Sequence, residues 1–293
     1  MSGQDHAITA SDGRRLCVRT FGDATAPALL LLHGTPGSRL VSPRITDPVI
    51  AAGLQLITLD RPGYGQSDPD YPRSLRAFAD DIQIVTSALD VDSYVIAGVS
   101  GGGPHALAAA ANDGCHACII LGGFAPVPKT GALPDGPNKL AYRIMRLSPL
   151  LFRIFNAVAT SGAIKALSDD AKTEKLIAAM LAKTPPEDRD LISEPDAKAG
   201  LIDNLREAFK QGGKAVGEES LMLGGDWRHE LPEIQVPIHW WHGKNDANVA
   251  YDDAKRFAST LAMINWHALD DGHSAWMHHW NEIVATITTA LRR

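Results

Sequence analysis

The sequence predicts an α/β protein with a mostly parallel central sheet, flanking helices and a helical insertion. Three observations predict it. Strand-like and helix-like segments alternate through the first third of the 293 residues, strand signals cease between residues 125 and 225, and alternation resumes at Val236. Strands that alternate with helices pair in parallel, joined by helical crossovers. The expected organisation is a sheet domain built from residues 1–124 and 226–293, interrupted by a helical insertion over 125–225.

The elements follow in order. His6 to Ala10 and Arg15 to Phe21 alternate in polarity around Ser11-Asp12-Gly13, a hairpin pattern. Ala28 to Leu32 is a continuous apolar run, as in a strand covered on both faces. Asp47-Pro48 is read as opening a helix that Gly53 closes. Leu54 to Leu59 is the next strand, and Ser74 to Leu89 a helix with Leu75, Phe78, Ile82, Val85 and Leu89 on one stripe. Ser93 to Val99 is a strand, Pro104 to Ala111 a helix and Ala117 to Leu121 a strand. In the insertion Leu140, Ile144, Leu147, Leu151 and Phe155 recur at helical spacing, with a break at Ser148-Pro149. Their stripe either packs against the sheet domain or lines an apolar pocket. The last elements are a strand ending at Trp240-Trp241-His242, a helix near Asp252 to Leu261, the strand Ile264 to Leu269 and a helix from Trp276 to Arg292.

Composition narrows the partners. The net charge of -6 argues against nucleic acid or an anionic membrane surface as the main partner. Uninterrupted apolar runs such as Ala28 to Leu32 are far short of the roughly 18 residues of a membrane span. No basic segment followed by an apolar one opens the chain, so a cytoplasmic location is expected. Cys17, Cys115 and Cys118 make no disulfide framework, and Cys115-His116-Ala117-Cys118 lacks a second Cys pair to complete a zinc site. They read as small buried or half-buried residues.

Gly98-Val99-Ser100-Gly101-Gly102 carries the chemistry. It follows a strand and precedes a helix, the setting in which G-x-S-x-G presents a nucleophilic serine. Neighbouring backbone comes so close to such a turn that Gly98 and Gly102 must lack side chains. Gly65-Gln66-Ser67-Asp68-Pro69 has neither the second glycine nor the preceding strand. Serine needs a base. His273 follows the strand Ile264 to Leu269, and Asp246 follows the strand ending at Gly243, which places an acid and a base in the required order. Asp270 and Asp271 are rivals for the acid, but share a loop with His273. His229, His239, His267, His278 and His279 lack the strand-end setting, the last two falling inside the final helix. Two backbone N–H groups should stabilise an oxyanion. Gly101 follows the nucleophile, and Thr35 lies in the loop His33-Gly34-Thr35-Pro36-Gly37, where His33 reads as structural.

Together with Asp60-Arg61-Pro62-Gly63-Tyr64-Gly65-Gln66-Ser67, these segments resemble the lid-bearing branch of the α/β-hydrolase superfamily. The resemblance implies a sheet of about eight strands and a helical lid over the site. Ser100 argues against haloalkane dehalogenases and epoxide hydrolases, which carry aspartate there. Carboxylic-ester hydrolysis through a Ser-His-Asp triad ranks first, on a small molecule with an apolar part. Prolyl-type aminopeptidase or amidase activity ranks second, with Glu174, Glu218 and Glu219 as carboxylates that would hold an amine. Cofactor-free haloperoxidase, lactonase or carbon–carbon hydrolase activity is third. A non-catalytic receptor on the same fold is the alternative of a different class. No metal or organic cofactor is expected.

Overall fold

Short apolar runs bounded by turns become the strands of one sheet. They are β1 (Gln4–Thr9), β2 (Arg15–Phe21), β3 (Ala28–Leu32), β4 (Gln55–Leu59), β5 (Tyr94–Val99), β6 (Cys115–Leu121), β7 (Ile238–Gly243) and β8 (Ile264–Leu269). The structure, a computed structural model, describes residues 3–134, 138–182 and 184–292. The strand order is β1-β2-β4-β3-β5-β6-β7-β8. β2 runs antiparallel to both neighbours, and β3 to β8 are mutually parallel. β3 lies between β4 and β5, so the chain leaves it in opposite directions. In such sheets ligands bind where the order reverses, outside the carboxyl ends of the strands.

The helices, in order, are α1 (Pro43–Ala51), α2 (Leu75–Ala88), α3 (Gly102–Ala109), α4 (Lys139–Leu147), α5 (Pro149–Leu167), α6 (Asp170–Leu181), α7 (Pro186–Ser193), α8 (Pro195–Ala208), α9 (Lys214–Leu223), α10 (Tyr251–Ala258) and α11 (Trp280–Leu291). Both sheet faces are covered, which is why the central strands read as unbroken apolar runs. Leu29 and Leu31 pack with Ile45 and Val49 of α1 and Ile283 of α11. Leu30 and Leu32 face the other way, among Phe78 and Ile82 of α2, Ala106 of α3 and Phe257 of α10. The predicted α2 stripe is buried at Leu75, Phe78, Ile82 and Val85, and Ser74 caps the helix by accepting the Ala77 N–H.

Helix α1 starts at Pro43 rather than at Asp47-Pro48. The earlier start lets Ile45 and Val49, four residues apart, bury the same face. Pro48 is accommodated inside the helix. Helix α3 opens at Gly102, two residues before Pro104, which sits in the first turn where no N–H is needed. His278 and His279 lie outside α11, in the turn between a short 3₁₀ segment (Ala275–Met277) and the helix.

Residues 139–223 form six helices, α4 to α9, with the break at Ser148-Pro149 where Ser148 caps α5. The insertion departs from expectation in one respect. Leu140, Leu147, Leu151 and Phe155 are not part of the core and are 44–78% exposed. Helix α5, with 19 residues and a mean hydropathy of 1.3, is also long and apolar enough to cross a membrane by length and composition. Its charged Arg153 and Lys165 interrupt the apolar run, so a search for unbroken runs passes over it.

Candidate active site

The tight passage from β5 into α3 sets Ser100 at φ +52°, a backbone conformation that side-chain-bearing residues rarely adopt. Such strain persists where surrounding structure enforces it, and it clusters at functional sites. Two glycines make the turn possible. A Cβ on Gly98 would stand 2.3 Å from the Gly102 carbonyl oxygen, and one on Gly102 would stand 2.7 Å from the carbonyl oxygens of Leu32 and His33. The Ser100 N–H donates to the Leu121 carbonyl at 2.8 Å, tying the turn to the end of β6. Ser100 is 9% exposed.

His273 and Asp246 come together across the ends of β7 and β8. Asp246 Oδ2 accepts from His273 Nδ1 at 2.7 Å. Asp246 Oδ1 accepts the backbone N–H groups of Asn248 and Val249, each at 2.8 Å, so the carboxylate is held from its own loop. Burial would raise the Asp246 pKa, but the neighbouring His273 holds it below the usual carboxylate range. Burial likewise pushes His273 down, and the attraction and hydrogen bond of Asp246 outweigh it, leaving the imidazole above its ordinary value. With Nδ1 engaged by Asp246, Nε2 is the nitrogen left for chemistry. The ring lies over Gly122, where a Cβ would come within 3.2 Å of it. Among the described residues no hydrogen bond spans Ser100 Oγ and His273; such contacts often tighten only once substrate is bound. Asp270 is 86% exposed at its side chain and pairs with Lys244.

The loop after β3 faces the elbow. A Cβ on Gly34 would lie 3.5 Å from Ser100 Cβ, and one on Gly101 would collide with Thr35 Oγ1. Thr35 and Gly101 are therefore adjacent. Gly101 occupies the N-terminal cap of α3, where the first N–H groups of a helix have no intrahelical acceptor. His33 is buried and neutral: burial and the nearby Arg61 charge push its pKa well down. Its Nδ1 donates to the Gly34 carbonyl at 2.7 Å and its Nε2 accepts the Arg61 N–H at 3.1 Å. Both ring nitrogens are thus engaged in shaping the loop.

Three further groups carry no distinct sequence signal. Asp188 of α7, in the insertion, accepts the backbone N–H groups of His273 and Ser274, each at 2.7 Å. It is 85 residues from His273, in a helix whose pattern marks nothing but an exposed face. His242 continues the acid's support: its Nδ1 accepts from Trp240 Nε1 at 3.1 Å, and its Nε2 donates to the Val249 carbonyl at 3.0 Å, 3.3 Å from Asp246 Oδ2. Glu219 of α9 is fully buried and bonds Arg61, Arg73, Tyr64 Oη and Thr35 Oγ1. Burial alone would protonate it; the two guanidiniums hold its pKa well below the carboxylate range.

A cavity of about 450 Å³ is lined by Phe124, Leu133, Tyr142, Val249 and Phe257 together with Arg228, Asp253 and Arg256, and none of Ser100, His273, Thr35 or Gly101 lines it. Phe124 donates its N–H to the Ser100 carbonyl at 3.3 Å. Cys17 and Cys118 are buried and Cys115 is half-buried. Among the described residues no cluster of three or more His, Cys, Asp or Glu side chains could hold a metal ion.

Comparison with known proteins places this geometry in a family. The chain is 27% identical to the AB hydrolase superfamily protein YisY of Bacillus subtilis, over 96% of this chain and 97% of that protein. It is 26% identical to a pimeloyl-[acyl-carrier protein] methyl ester esterase of Aromatoleum aromaticum, over 91% of this chain and 98% of the esterase. Its fold matches an esterase structure from Exiguobacterium antarcticum with a TM-score of 0.66 at 20% identity, covering 99% of this chain and 100% of the other. A family model described as the alpha/beta hydrolase fold matches residues 27–279, and the chain belongs to that family of enzymes.

Proposed function

We propose that this chain hydrolyses carboxylic esters of small, partly apolar molecules through an acyl-enzyme on Ser100. The observation that carries the reading is the 2.7 Å bond between Asp246 and His273 Nδ1, beside the strained Ser100 turn. In this reading His273 Nε2 takes the Ser100 proton as Oγ attacks the ester carbonyl carbon. The N–H groups of Thr35 and Gly101 stabilise the negative oxygen that forms. Collapse expels the alkoxide, which leaves as the alcohol with the proton from His273. Water, deprotonated by the same imidazole, then attacks the acyl-enzyme and releases the acid. Asp246 orients the ring and stabilises the imidazolium. Helices between residues 125 and 225 serve as the lid over a core of residues 1–124 and 226–293.

The ester reading is favoured over the aminopeptidase one by the state of three carboxylates. Glu219 is neutralised by Arg61 and Arg73, Glu218 is paired with Arg153, and Glu174 is paired with Lys198. None is left to hold a substrate ammonium. The test is turnover of 4-nitrophenyl esters of graded acyl length beside proline 4-nitroanilide. Ester turnover that Ser100→Ala abolishes is expected. Preferential cleavage of the anilide, or no ester turnover at all, would overturn the reading.

A further inference from the structure

The large apolar side chains that stand exposed are concentrated on two consecutive helices. All but Met180 and Met263 lie between residues 140 and 158. Helix α4 contributes Leu140 and Leu147, 60% and 78% exposed. Helix α5 contributes Leu150, Leu151, Ile154, Phe155 and Val158, whose spacing puts them on one stripe. The opposite side of α5 is fastened to the protein. Phe152, Thr160 and Leu167 are buried there, Asn156 donates to the Gly213 carbonyl at 3.1 Å, and Arg153 pairs with Glu218 of α9. A helix held along its length in this way cannot thread through a bilayer, although its length and composition would allow a span. It can lie along a surface with its apolar stripe outward.

Charge indicates which surface. Residues 125–168 hold Lys129, Lys139, Arg143, Arg146, Arg153 and Lys165 against Asp135 alone, in a chain whose net charge is -6. Arg143, Arg146 and Lys165 are exposed. Arg146 donates to the carbonyls of Pro128 and Gly131, so no carboxylate cancels its charge in those bonds. Lys165 follows Val158 by two helical turns and shares its stripe. Soluble monomers rarely expose contiguous apolar patches of this kind without a partner.

We propose that the α4–α5 face docks on an anionic phospholipid membrane, with α5 lying in the headgroup plane and its apolar stripe inserted. The basic residues meet lipid phosphates. The inference stands on exposure and charge, independently of the reaction at Ser100.

Co-sedimentation of the full chain with vesicles tests it, using phosphatidylcholine alone and phosphatidylcholine mixed with phosphatidylglycerol. Binding to the anionic vesicles, weakened by salt and much poorer on phosphatidylcholine alone, is expected. A basic residue at an anionic surface is worth about fivefold in partitioning, so Arg143→Glu with Lys165→Glu should lower binding at least tenfold. Leu150→Asp with Val158→Asp should also release the protein. Both variants should keep the far-ultraviolet circular dichroism spectrum and turnover of a water-soluble ester. Should the apolar variant fail to fold, the charge variant, changed only at exposed positions, still decides. Absence of anionic-vesicle binding, or binding unchanged in the charge variant, would overturn the proposal. So would a wild-type dimer, seen by sedimentation velocity, that ignores vesicles and dissociates in the apolar variant.

Discussion

Asp188 offers a sharp test of how the insertion supports the proposed base. Its two carboxylate oxygens each accept one backbone N–H, from His273 and Ser274, at 2.7 Å, and the residue is 3% exposed. Asp188→Ala leaves two half-buried donors without acceptors, at up to about 1–3 kcal/mol each. The expected loss of stability is therefore up to about 2–6 kcal/mol, read by urea denaturation. Asp188→Asn keeps one acceptor and should lose about half as much. A second readout separates positioning from bulk stability. The Asp188 charge helps to raise the His273 pKa. Removing it in Asp188→Asn should shift the acidic limb of kcat/KM to lower pH, because the imidazole then stays neutral further into acid. Asp188→Ala with wild-type stability, or Asp188→Asn with an unmoved acidic limb, would show that Asp188 does not support the base.

Other predictions follow from the same geometry. In the wild-type protein kcat/KM should fall as pH drops through the His273 pKa, which lies above the ordinary imidazole value because Asp246 outweighs burial; a profile flat down to pH about 5 in a chemistry-limited assay contradicts this. Asp246→Asn should lower kcat on the order of 10⁴-fold by favouring the wrong imidazole tautomer, whereas Asp270→Asn, at an exposed side chain paired with Lys244, should leave it within a few-fold of wild type. Gly98→Val places a Cβ 2.3 Å from the Gly102 carbonyl oxygen, so the turn must shift; a displaced nucleophile should cost at least about 10²-fold in kcat, and unimpaired turnover would mean that the turn tolerates a side chain.

Much of the sheet was readable because buried parallel strands are short apolar runs, as Ala28 to Leu32 and Ser93 to Val99 illustrate. The elbow was readable because its glycines answer a local steric demand. The order of Ser100, Asp246 and His273 along the chain was also visible, since each lies at a strand end. Long-range partners were not. Asp188 and Glu219 sit on insertion helices, and their carboxylates resemble ordinary solvent-facing charges until the fold brings them to His273 and Arg61. The exposed stripe of α4 and α5 misled for the opposite reason. Apolar periodicity specifies a face but not what covers it, and here that face points outward. Net charge is a sum over the chain and does not report the basic segment over residues 125–168.

The proposed chemistry stands on Ser100 as the nucleophile. Treatment with a fluorophosphonate, followed by peptide mass spectrometry, addresses this at the reacting atom. A single phosphonylated site at Ser100 is expected, with no labelling of Ser100→Ala and a fall in kcat for that variant on the order of 10⁶. Modification elsewhere with Ser100 untouched, or labelling and turnover that survive in Ser100→Ala, would contradict it.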